Sequence, residues 1–163
     1  MSSVVLDGSK IHDLPSFIAA LAAALAESDS KADDENEDGI AEPYFGWDLH
    51  SLQDCLQGGY LGTPPYEITV RDAEPMLRAF GREGYARYCE SMLEVIAAGG
   101  RGLVREDSLR WYRRARDTAE RGVGPTLFNV LCSVIRASPA TLDVLDSERK
   151  PLVEAAAAFD DDP

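Results

Sequence analysis

The sequence predicts an α/β protein, a small three-stranded parallel sheet flanked by helices, with an inserted helix and a C-terminal helical extension. Three observations lead there. Short segments with alternating or continuous apolar residues are separated by longer ones whose apolar residues recur every three to four positions. Strands divided by helices favour parallel crossover connections. The 163 residues suffice for one domain, which at this size buries about 70% of the surface its unfolded chain exposes.

The elements follow in chain order. Residues 4–8, VVLDG, read as a strand closed by a turn. In LPSFIAALAAALAES, Phe17, Leu21 and Leu25 recur every four residues, Ile18 and Ala24 widen the stripe, and Pro15 suits a first turn, so a helix is expected. Residues 27–42 hold eight acids against one lysine, and Ile40 alone is strongly apolar. That composition cannot offset the entropy lost on ordering, so a mobile acidic loop is expected. Asp48 then stands where a cap belongs for a helix over residues 49–57, with Gly58 and Gly59 ending it. Its inner side would hold Leu49, Leu52, Cys55 and Leu56; its outer face would hold His50, Gln53, Asp54 and Gln57.

YEITVRD alternates Tyr66, Ile68 and Val70 with Glu67, Thr69 and Arg71, the period of a second strand, and Pro64-Pro65 keeps a helix from running into it. Helical spacing continues over 85–98 and 108–121, stopped by Gly99-Gly100 and by Gly122. The latter helix has Glu106 and Asp107 at its entrance and arginines at its exit, which suits the helix dipole. TLFNVLCSVI, residues 126–135, is nearly continuous in apolar and β-branched residues and predicts the third and central strand, covered on both faces. Beyond it, Ser138-Pro139 reads as a helix start and Pro151 as a break, giving short helices and a frayed acidic end.

Composition narrows the function classes. No apolar run approaches the eighteen or so residues of a membrane helix, and MSSVVLDGSK lacks the basic start and apolar core of a signal peptide, so a cytoplasmic protein without membrane contact is expected. Cys55, Cys89 and Cys132 have no metal-ligand spacing and read as small buried hydrophobes. The formal net charge is −13, unevenly spread: residues 1–75 carry 15 acids against 3 bases, whereas residues 78–121 carry ten arginines against seven acids. Such a charge repels the phosphate backbone, which argues against direct nucleic-acid binding, and it attracts a basic protein at a rate that salt suppresses. No cofactor is expected.

YFGWDLHSLQDCL, preceded by VVLDGSKIHDLPSFIAALAAAL and followed by GGYLGTPPYEITVRD, resembles the barstar family, intracellular inhibitors of barnase-type ribonucleases. The likeness covers residues 4–72 and again YRRARDTAERGVGPTLFNVLCS. It implies a three-stranded parallel sheet flanked by helices, whose second helix and preceding loop enter the active site of a nuclease. On this frame residues 1–136 form a barstar-like domain with an acidic insertion at 27–42 and a helical insertion at about 75–105, and residues 137–163 form the C-terminal helical extension. Tyr44 and Phe45 match the family's aromatic pair, Gly46 its glycine, Asp48 its helix cap, usually asparagine, and Asp54 the acid that occupies the phosphate position of the nuclease.

Departures from the family pattern define the rest of the expected partner-binding surface. His50 replaces a second acid and Gln53 a tryptophan. Trp47 fills a variable position, and Tyr60 follows Gly58 and Gly59, so the aromatic surface is redistributed. Gln57 completes the outer face, and Asp117 matches a further acid on the family's last helix if the segment ending at Gly122 is that helix. The resemblance implies an immunity protein that occludes a cognate basic toxin nuclease, a ribonuclease; the alternative is an adaptor for a basic protein without nuclease inhibition. Catalysis is not expected. His50 and Asp54 at i, i+4, with His12 the only other histidine, fall short of a metal or acid–base site.

Overall fold

The computed structural model describes residues 1–30, 47–58, 62–99 and 105–152. Among them are strands β1 (Ser2–Asp7), β2 (Tyr66–Arg71) and β3 (Ala140–Val144), and helices α1 (Leu14–Ser30), α2 (Leu49–Gly58), α3 (Glu74–Ala79), α4 (Arg82–Ala97), α5 (Arg105–Glu120) and α6 (Leu127–Arg136). The strands form one parallel sheet in the order β1-β2-β3, with Val4 opposite Ile68 and Ile68 opposite Leu142. An α/β fold with a three-stranded parallel sheet and flanking helices is therefore present, as the sequence predicts.

Burial alternates strictly along β1 and β2, so one sheet face is packed and the other is open. Val4, Leu6, Tyr66, Ile68 and Val70 point into the core, while Val5 is 52% exposed on the opposite face. That is a two-layer arrangement, with helices gathered over one side. From α1, Phe17, Leu21 and Leu25 are fully buried, and Phe17 meets Phe80 edge to face at 6.3 Å between ring centroids. Asp13 caps α1 reciprocally: its carboxylate accepts from the Ser16 N–H at 2.8 Å, and the Ser16 hydroxyl accepts from the Asp13 N–H at 3.1 Å.

The third strand is the main correction. Residues 126–135, expected as a central strand covered on both faces, lie in and around α6, and the central strand is β2. Thr126 caps α6 by accepting from the Asn129 N–H at 3.1 Å, while the Asn129 side chain accepts from the Thr126 N–H at 2.9 Å. Leu127, Phe128, Leu131 and Ile135 then turn inward at helical spacing. The true β3 lies within residues 137–163, read from sequence as a helical extension, because Thr141 and Asp143 face outward while Val144 is buried, the alternation of an edge strand. After β3 the chain turns and returns, with Leu145 bridged to Pro151. The acidic segment also begins later than expected, since residues 27–30 continue α1; its remainder, 31–42, lies outside the described residues.

The region expected as a helical insertion contains α3 and α4, and α4 pairs with α5. Gly84 allows the start of α4 to pass over the Ala79 carbonyl, which any Cβ at this position would strike. The α4–α5 contact is aromatic. Tyr85 stacks on Tyr88 at 6.4 Å, Tyr88 meets Tyr112 edge to face at 6.4 Å, and Tyr112 meets Trp111 at 4.8 Å. Arg116 closes the pair by donating to Glu90 of α4 at 2.7 Å. Among the described residues no helix is long and apolar enough to cross a membrane.

Candidate functional site

Helix α2 is fixed from beneath and presented from above. Asp48 caps it as the sequence predicts: its side chain accepts from the Ser51 N–H at 2.8 Å and its carbonyl from the Leu52 N–H at 3.0 Å. Leu49, Leu52, Cys55 and Leu56 are buried, the inner side expected from their spacing. The amide of Leu49 donates to the Tyr88 hydroxyl of α4 at 3.3 Å in a buried setting. Burial raises the Tyr88 phenol well above its ordinary range, with neighbouring Tyr112 adding to the effect, so the ring remains neutral at physiological pH. Burial, then the charge of Asp54, likewise raises the Cys55 thiol and keeps it protonated.

The outer face matches its expected composition. His50, Asp54 and Gln57 are exposed, and Trp47, Asp48 and Gln53 are half-buried. Gln57 is tied down, donating to the Ala137 carbonyl at 3.2 Å just past α6. Asp54 makes no side-chain hydrogen bond or ion pair among the described residues, so its carboxylate keeps its full accepting capacity toward a partner. Gly58 is the last residue of α2. Tyr44, Phe45, Gly46, Gly59 and Tyr60, expected at the same surface, lie outside the described residues.

Two clefts open beside this helix and share one wall. The first, of about 220 Å³, is bordered by His12, Asp13, Trp47, Arg87, Tyr88 and Ser91. The second, of about 170 Å³, lies between α2, α5 and α6 and is bordered by His50, Gln53, Tyr88, Trp111, Tyr112, Val130 and Val134. Tyr88 belongs to both, so the phenol that receives the first amide of α2 also separates the recesses. In the first cleft burial pushes the Asp13 carboxyl up, but the hydrogen bonds from Ser16, with His12 and Arg87 nearby, outweigh it and hold the group below its ordinary value.

Asp117 is placed elsewhere. The last helix before β3 is α6, which contains no acid, whereas Asp117 sits one helix earlier on α5. It is exposed and accepts from Arg116 at 3.0 and 3.1 Å, and because α6 follows it, the condition for its match, a place on the last helix before the final strand, is not met. Sequence reasoning also missed Trp111, which is 56% exposed and borders the second cleft with Tyr112. The available signal was a pair of adjacent aromatics on a very polar helix: neighbours about 100° apart cannot both enter a narrow buried stripe.

Among the described residues, no three of His, Cys, Asp and Glu converge so as to hold a metal ion. The arrangement can present a carboxylate that is unpaired among the described residues, on a well-anchored helix near two aromatic-walled recesses. Compared with family models, curated proteins and solved structures, the chain gives no match.

Proposed function

We propose that the protein is a barstar-like immunity protein of the cytoplasm, which binds a cognate toxin nuclease, a ribonuclease, and occludes its basic active site with α2 and the chain preceding it. The observation behind this reading is Asp54, exposed and without a partner among the described residues, on a helix that a cap, four buried residues and the Tyr88 hydrogen bond hold in place. A ribonuclease aims arginine, lysine and histidine at a scissile phosphate. A carboxylate held at that position accepts the same hydrogen bonds and competes with substrate. Trp47 and Trp111 on either side supply the large rings that dominate protein interfaces. The excess of acids in residues 1–75 favours encounter with a basic partner.

Co-expression with toxin candidates from neighbouring genes tests the reading. Rescue of growth and inhibition of the purified nuclease are the expected results. Asp54→Ala should speed dissociation, since breaking one side of a desolvated charge pair costs about 2–5 kcal/mol, a range drawn in part from barnase and its inhibitor. Deleting residues 31–38, which contain five acids, should instead slow association, by a factor that shrinks as salt rises. A toxin that is bound without loss of nuclease activity would favour the adaptor reading. Equal kinetics for the native and altered proteins would reject both assignments.

A further inference from the structure

Strand β3 lies at one end of the sheet, and the chain that follows it begins to cover its outer edge. In a parallel ladder the amide and carbonyl of one residue point to one side of the strand and those of the next residue to the other. The Tyr66 amide donates to the Pro139 carbonyl at 2.8 Å and the Leu145 amide to the Val70 carbonyl at 2.9 Å, so Thr141 and Asp143 between them face β2. Leu142 and Val144 face away from it. The Val144 carbonyl accepts from the Leu152 amide at 2.9 Å, where the chain has turned back and runs antiparallel to β3. Two residues along the same edge, the amide and carbonyl of Leu142 have no partner among the described residues. A cleft of about 520 Å³ lies beside them. It is bordered by Phe128, Cys132, Ile135 and Arg136 of α6, by Leu142, and by Pro151, the residue at which the returning chain joins β3. Arg136 is exposed and has no ion pair among the described residues.

We propose that this cleft is a docking site for the chain's own residues 153–156, which add to β3 as a short antiparallel strand. Eleven residues follow Leu152, all outside the described residues, and they depart beside Pro151 in the wall of the cleft. Extending the register of Leu145 with Pro151 sets Glu154 opposite Leu142 and Ala156 opposite Ala140. Leu142 then exchanges both its backbone hydrogen bonds with Glu154, as alternate pairs of an antiparallel ladder do. Residues directly opposite share a face of the sheet, and buried Val144 marks the face that carries the helices. Glu154 is thereby directed to the side of α6, where Arg136 borders the cleft with its charge unmatched. A separate peptide offers the same backbone groups, but the tethered segment competes at an effective concentration of about millimolar or more, with direction and register already set by Leu152. Covering the edge also removes a template for pairing with other chains. This inference does not rest on the nuclease reading, and its failure would leave that reading as it stands.

Hydrogen exchange of the full chain, followed residue by residue, tests it. The Leu142 amide should exchange at least about tenfold more slowly in the native protein than in Glu154→Pro, which lacks the N–H that the ladder needs. The Ile68 amide of the central strand, protected in both, shows that the sheet is retained. Arg136→Glu should likewise speed exchange at Leu142, and adding Glu154→Arg should restore its protection. Cys132 gives a second readout, since it borders the cleft and is half-buried, whereas Cys55 and Cys89 are buried. Ending the chain at Leu152 should speed alkylation of Cys132 at least about threefold and leave the other two thiols unchanged. A Leu142 amide that exchanges equally fast in the native protein and in Glu154→Pro overturns the proposal, as does alkylation of Cys132 indifferent to the truncation. Protection of Leu142 that grows with protein concentration overturns it too, because a second copy then covers the edge.

Discussion

Helices α2 and α5 face each other across one cleft yet are built in opposite ways. Of the ten residues in α2, four are buried and its N-terminus is bonded both to its own cap and to Tyr88. Helix α5 has sixteen residues, is rich in charge, buries Ala119, and leaves its tryptophan in solvent. The first owes its place to the core and spends only its outer face on polar groups. The second is held at one flank by Tyr112 and Arg116 and exposes aromatic surface that folding alone does not require. A ring left largely in water adds little to the stability of the fold, whereas a fully buried leucine adds much.

The sharpest way to break that contrast is to truncate one residue from each. Leu52 is fully buried, so Leu52→Ala should cost about 2–5 kcal/mol in urea unfolding, whereas Trp111→Ala should cost at most about 1 kcal/mol. Equal losses would mean that α5 is as much a part of the core as α2. Tyr88→Phe comes next. It removes the acceptor of the buried Leu49 amide while keeping the ring, with an expected loss of about 1–3 kcal/mol and faster hydrogen exchange at that amide. Asp48→Ala removes the cap of α2 and should cost about 1 kcal/mol, with fraying confined to the first turn in exchange measurements.

The smallest effect concerns pH. The Asp13 carboxyl is held below its ordinary value in the folded protein, so its contribution is fully present above the unfolded value of 3.8 and is lost as pH falls through the lower folded value. Asp13→Asn should therefore flatten the acid limb of the stability profile below that pH and leave its slope near neutrality unchanged. A slope altered at neutral pH instead would locate the effect in a different group.

How much of this was legible beforehand depended on whether a segment had one role or two. In α1, α2, α4 and α5, and in the first two strands, apolar residues serve a single buried side, and the period shows through. Helix α6 carries one broad apolar arc: Leu127, Leu131 and Ile135 pack on the core, and Val130 and Val134, adjoining them around the helix, border the cleft. Its nearly continuous apolar and β-branched run read as a doubly covered strand, although the arc keeps a helical period and Thr126 and Asn129 marked a capped start. Edge strand β3 was hidden for the converse reason: only Val144 of its five residues is fully buried, and Ser138-Pro139 resembled a helix start. At the site, the outer face of α2 followed from spacing. Trp111 did not, because it joins that face only through the tertiary pairing of α4 with α5.

The phenol of Tyr88 stands as a partition between two hollows, anchored through its oxygen to the first amide of α2. One residue therefore serves three neighbours at once, as a wall of each hollow and as the support for the first turn of α2.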